Sequence, residues 1–100
     1  MALQIIWTVD AKDHLNEILE YWHQRNGTRT YSKKLYQTVR NALKILSKYP
    51  ESGKLTEKSL IRTKIVRDYY LFYTFDDFNL FVVGFCDMRR DPEYIKTLIK

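Results

Sequence analysis

Disulfide chemistry is closed to this chain, because its 100 residues hold a single cysteine, Cys86. One thiol cannot form an internal bridge, and the residues around it are apolar. It therefore reads as a small buried side chain in a reducing compartment rather than as a nucleophile. Histidine is scarce too: His14 and His23 are the only two, far from Cys86 in sequence, and both read as solvated residues of a helix. No apolar run approaches the roughly 18 residues that a membrane-spanning helix needs. The opening MALQIIWTVD has no basic residue and reaches Asp10 before an apolar leader could develop, which excludes an ordinary secretory signal and leads to the expectation of a cytoplasmic protein without membrane contact. Two prolines and three glycines act as punctuation, and there is no repeat, linker or low-complexity tract. The length allows one core and not two, so residues 1–100 read as a single domain.

What the chain has in excess is positive charge. Seventeen Lys and Arg against twelve Asp and Glu give +5 and a pI near 9.4, which favours acidic partners: nucleic acid, the ribosome or an acidic protein segment. Much of that charge brackets one stretch, Ile61 to Pro92, where Arg62, Lys64, Arg67, Arg89 and Arg90 flank a run of tyrosine, phenylalanine and valine. Two readings compete: an antiparallel meander with a basic outer face, or a sheet that presents cations to an anionic target.

Residue spacing supplies the elements. Leu3 to Val9 is short, β-branched and aromatic, as in a strand. Asp10 is positioned to cap a helix over Ala11 to Arg25, with Ala11, Leu15, Ile18, Leu19 and Trp22 at helical spacing and Gly27 as its left-handed stop. A second helix runs from about Thr28 or Thr30 to Lys48 and forms an antiparallel hairpin with the first; Trp7 and Trp22 belong to the core. Pro50, Ser52 and Gly53 end that helix, and a polar loop continues to Ser59. Strands follow at Leu60 to Val66, Tyr69 to Phe75 and Asn79 to Phe85, joined by tight turns at Arg67-Asp68 and Asp76-Asp77. Asp91 and Pro92 start a short last helix. The order β-α-α-β-β-β-α predicts a two-layer α+β fold. The helical hairpin covers one face of an antiparallel sheet, and the first strand joins along an edge.

Several segments match a known pattern in order and spacing. Leu15-Asn16-Glu17-Ile18 with Tyr21-Trp22, then Leu46, Pro50 and Gly53, then Arg62 with Val66-Arg67-Asp68-Tyr69 and Leu71-Phe72-Tyr73, and finally Met88-Arg89-Arg90-Asp91-Pro92 resemble the RelE/ParE superfamily of bacterial type II toxins. The resemblance spans essentially the whole chain and leans to the ParE-like branch.

The resemblance implies a toxin of a toxin–antitoxin, or plasmid-stabilisation, pair. RelE-like members cut messenger RNA on the ribosome with basic residues on central strands and a histidine or tyrosine near the last strand. Here Tyr70 and Asp87 stand where arginine and histidine are expected, and an aspartate would repel a phosphate. ParE-like members lack those ribonuclease residues and inhibit DNA gyrase by binding. The expectation is therefore a gyrase inhibitor without catalytic residues, cofactor or metal, with Arg62, Lys64, Arg67, Arg89 and Arg90 as its target-binding groups. A cognate antitoxin would neutralise it in a hetero-oligomer, through a partly disordered segment that folds over the toxin. Two alternatives stay open. One is a ribosome-dependent endoribonuclease using Arg62, Arg67, Tyr70 and Arg89; the other is a non-toxic remnant that keeps only antitoxin pairing.

Overall fold

The computed structural model describes residues 2–58 and 60–99. Strand β1 (Gln4–Trp7) leads into helices α1 (Val9–Asn26) and α2 (Thr30–Lys48). One turn of 3-10 helix (Pro50–Ser52) and a two-residue strand β2 (Lys54–Leu55) follow. Strands β3 (Arg62–Val66), β4 (Tyr69–Phe75) and β5 (Asn79–Asp87) then lead to helix α3 (Pro92–Leu98). The strands form one sheet in the order β1-β5-β4-β3-β2. All pairs are antiparallel except β1 with β5, so the first strand does join at an edge, alongside the last strand.

Local chemistry moved several boundaries. Thr8, not Asp10, caps α1: its hydroxyl accepts from the Ala11 amide at 3.1 Å, and its own amide donates to the Val82 carbonyl at the end of β1. Asp10 falls instead in the first turn, where a carboxylate still suits the helix dipole. Gly27 closes α1 in the left-handed conformation at φ 70°, as its position predicted. The loop after α2 is partly structured, since Lys54 pairs with Thr63 and Leu55 with Arg62; Ser59, its expected end, lies outside the described residues. The β4–β5 turn holds three residues rather than two, with the Asp76 carboxylate accepting from the Phe78 and Asn79 amides.

The helical hairpin covers one face of the sheet. Leu15 of α1 and Leu35, Val39, Leu43 and Leu46 of α2 bury against Val66, Tyr69, Leu71, Tyr73, Leu80, Val82 and Phe85. Ser32, buried between the helices, is satisfied by donating to the Leu19 carbonyl at 2.7 Å. Trp7 and Trp22 are half-buried against this core. A bulge in β5 decides which of its residues reach it. Phe72 pairs with Gly84 but Tyr73 with Val82, leaving Val83 as the extra residue. The shift of parity lets Leu80, Val82 and Phe85 all face the hairpin. The opposite face carries a smaller cluster, Phe72, Cys86 and Ile99, beneath α3.

Candidate functional site

The structure divides the five basic residues singled out above among three places. By register, Arg62 lies opposite Tyr73, and Lys64 opposite Leu71, so both project to the hairpin side of β3. Arg62 is tied to the chain itself: its guanidinium donates to the carbonyls of Glu51 at 3.0 Å and Gly53 at 2.8 Å. The fully buried Tyr73 completes this clamp. Its hydroxyl donates to the Pro50 carbonyl at 2.6 Å and accepts from the Gly53 amide at 2.9 Å. A Cβ on Gly53 would sit 2.3 Å from that hydroxyl, so only glycine fits. Pro50, Gly53, Arg62 and Tyr73, read in the sequence as separate pieces of a motif, are thus one structural unit that folds the α2 exit onto the sheet.

Arg67 occupies the β3–β4 turn at φ 55°, its guanidinium 5.9 Å from the Tyr31 ring centroid and 3.4 Å from the Thr38 hydroxyl. Arg89 and Arg90 follow the end of β5. They help to line a cleft of about 520 Å³ between α1 and α3, floored by the ends of β4 and β5. Helix α1 contributes His14, Glu17, Tyr21, Trp22 and Arg25, which follow one another at helical spacing beside the apolar stripe. Tyr69, Asp87 and Tyr94 complete the walls.

The cleft is aromatic, with its charges held in place. The Trp22 indole donates to the Tyr69 hydroxyl at 2.7 Å, and Tyr69 stacks on Phe85. Arg25 lies 5.9 Å from the Trp22 ring centroid, and Arg90 covers Tyr94 at 3.8 Å. Asp87 is engaged by Arg89 three times: by its backbone amide at 2.8 Å, its Nε at 3.0 Å and its terminal nitrogen at 2.7 Å. Those hydrogen bonds hold the Asp87 carboxyl below the usual carboxylate range and push the Arg89 guanidinium upward. Burial raises the Tyr69 phenol, and it pushes the Cys86 thiol up to about 11, so Cys86 is neutral and unreactive at pH 7. Tyr70 belongs to the opposite face, with Phe72 and the α3 cluster. Arg62 lies four residue pairs along β4 from the Tyr69–Asp87 row, roughly 13 Å at strand rise. Arg62, Arg67, Tyr70 and Arg89 therefore do not converge.

The histidines are a correction to the sequence reading. Both are half-buried rather than solvated, and the Nδ1 atom of each is buried without a hydrogen-bond partner. His14 lines the cleft. The signal was present in the sequence: His14 and Ile18 fall on the same side of α1 four residues apart. Among the described residues no cluster of His, Cys, Asp and Glu is arranged to hold a metal ion.

Comparison with known proteins agrees with this architecture. No curated protein matches the sequence. A solved structure described as the chromosomal ParDE toxin–antitoxin system from P. aeruginosa shares the fold with a TM-score of 0.72 at 16% identity, over 86% of this chain and 96% of that one. The family model for the ParE toxin of type II toxin–antitoxin systems, parDE, matches residues 5–92. With that match over most of its length, the chain belongs to the ParE toxin family.

Proposed function

We propose that this ParE-family toxin inhibits DNA gyrase by binding, with the cleft between α1 and α3 as its contact site, and that a cognate antitoxin neutralises it. The observation that carries the binding reading is the commitment of Asp87 to Arg89. The carboxylate at the end of β5 is occupied as a partner of arginine and is not free to accept a proton from a reacting hydroxyl. The remaining features suit recognition: stacked arginines, an exposed Tyr21 and a half-buried Tyr94 around a concave floor are the residue types that anchor protein interfaces. The +5 charge favours fast, salt-sensitive association with an acidic antitoxin segment. The test is DNA supercoiling by purified gyrase in the presence of the chain. Inhibition relieved by the double substitution Arg89→Gln and Arg90→Gln supports the reading. Growth arrest in cells without any effect on supercoiling refutes it.

One observation favours the endoribonuclease as a second reading: His14 places an imidazole in a cleft that also holds arginines. The two readings separate at that residue. Under the binding reading, induction produces no new message ends in primer extension, with or without His14→Gln. Loss of arrest together with loss of cleavage ends would favour RNA cleavage.

A further inference from the structure

The positive charge of this molecule is concentrated on a face that the cleft does not use. Helix α2 carries Lys33, Lys34, Arg40, Lys44 and Lys48 and no carboxylate anywhere along Thr30–Lys48, so this one element matches the net charge of the whole chain. Its neighbour α1 is the reverse, with four carboxylates against two cations. The two sets form no ion pair with each other. Among the described residues the ion pairs are Arg89–Asp87 and Lys96–Glu93, neither on α2.

Placement makes the charge usable. At 3.6 residues per turn, Lys33, Arg40, Lys44 and Lys48 fall within a narrow sector opposite the buried stripe of Leu35, Val39 and Leu46. All four are exposed and form a single file along the crest. Neutral amides lie in that file: Gln37 donates to Asn41 at 2.9 Å. Arg40 is steadied over the Tyr36 ring at 5.9 Å. The exposed apolar side chains beside the row, Tyr36, Ile45 and the C-cap Tyr49, lie off the crest, Ile45 and Tyr49 sharing a shallow hollow with Lys44 and Lys48, so the crest itself presents only cations and amides. From Lys33 to Lys48 the row is about 22 Å long. A duplex presents phosphates at one charge per roughly 1.7 Å of its axis, a far denser matching row than any surface of mixed charge.

We infer that the outer face of α2 is a binding surface for the phosphate backbone of duplex DNA, engaged without reading base sequence and separate from the cleft. This surface does not depend on gyrase being the target.

The test uses the full chain and a fluorescently labelled 20-base-pair duplex of arbitrary sequence, titrated by anisotropy between 50 and 200 mM salt. Four phosphate contacts predict a log–log salt slope of about −3.6, or an affinity loss of roughly 150-fold across that range. The double variant Lys44→Gln, Lys48→Gln halves the slope to about −1.8, as does Lys33→Gln, Arg40→Gln as an independent pair. Arg89→Gln, Arg90→Gln leaves it unchanged. These side chains are exposed, and circular dichroism verifies that each variant is folded. The inference is overturned if the chain does not bind the duplex at 50 mM salt. It is also overturned if the slope follows Arg89 and Arg90 instead of α2, or if poly-L-glutamate binds as tightly as the duplex, which would assign the face to an acidic protein segment.

Discussion

Tyr73 joins strand β4 to the exit of α2 through one buried hydroxyl, and that geometry sets what substitutions there will do. Tyr73→Phe keeps the ring but leaves the Gly53 amide and the Pro50 carbonyl without their partner. Stranding buried polar groups in this way costs about 1–3 kcal/mol, measurable as a lower urea midpoint with unchanged slope. Gly53→Ala is expected to cost a similar amount by another route. Its backbone φ of −76° is ordinary, but the added methyl collides with a tyrosine that has no room to move. The same hydroxyl gives the molecule an alkaline limit. Burial raises the Tyr73 phenol above its ordinary value of 10. A folded value above the unfolded one means that the stabilisation is complete below pH 10 and is lost as pH rises through the folded value. The Tyr73→Phe variant should therefore lose less stability than the parent between pH 10 and 11.5, with the residual loss attributable to the other buried groups raised in the fold, Tyr69 and Cys86. At the opposite face, Cys86 ionises about two units above the ordinary thiol value of 9.0, so its thiolate at pH 8 is scarcer by roughly a hundredfold. Thiol-specific reagents should label the folded chain at least that much more slowly than the urea-unfolded chain.

At the scale of elements, legibility followed periodicity. Both long helices, the meander and the last helix repeat apolar residues at regular spacing, and the sequence showed them to within a few residues. Strand β2 has two residues, too few to display any period, and its pairing depends on Arg62 and Thr63 across the loop. The bulge at Val83 was equally hidden, because alternation along β5 looks continuous until Gly84 is seen to face the same side as its neighbour. The surroundings of the basic residues were hidden for a related reason. Arginine was read as a ligand for a target, yet the carbonyls that hold Arg62 come from a loop nine and eleven residues away in sequence, and no pattern in the strand records them. The cleft required a tertiary contact between α1 and the turn after β5, so only its arginine half was visible in advance. Helix α3 illustrates what such a short element can do. It has seven residues and covers a cluster centred on Phe72 and Cys86, with Leu98 packed over Gly84 and Ile99 mostly buried. Ile99→Asp places a carboxylate in that contact and should loosen α3 while sparing the hairpin core. Faster labelling of Cys86, with little change in helical circular dichroism, is the expected result; unchanged labelling would mean that the sheet alone protects the thiol.

For the molecule as a whole, the arginines perform two kinds of work, and a pair of variants can tell them apart. Arg62 bonds to the carbonyls of Glu51 and Gly53, so Arg62→Ala acts through the fold. It should lower stability by about 1–2 kcal/mol, because hydrogen bonds to a charged donor are among the stronger ones. Under the proposed gyrase reading, inhibition by the folded fraction should then remain close to that of the parent. Arg89 is 80% exposed, and Arg90 is exposed beside Tyr94, so neither supports the core. Replacing both with glutamine frees the Asp87 carboxylate and turns the arginine side of the cleft from positive to negative. Binding through that surface should fall by at least tenfold, while the urea midpoint stays near that of the parent. Urea unfolding and supercoiling inhibition, measured on the same preparations, give the two readouts. If Arg62→Ala abolishes inhibition at full folding while the Arg89 and Arg90 double variant retains it, the contact site belongs at the β3 edge instead of the cleft. If each variant moves only its own readout, stability resides in the Tyr73 clamp and recognition in the turn after β5, two functions separated along the length of a single β-sheet.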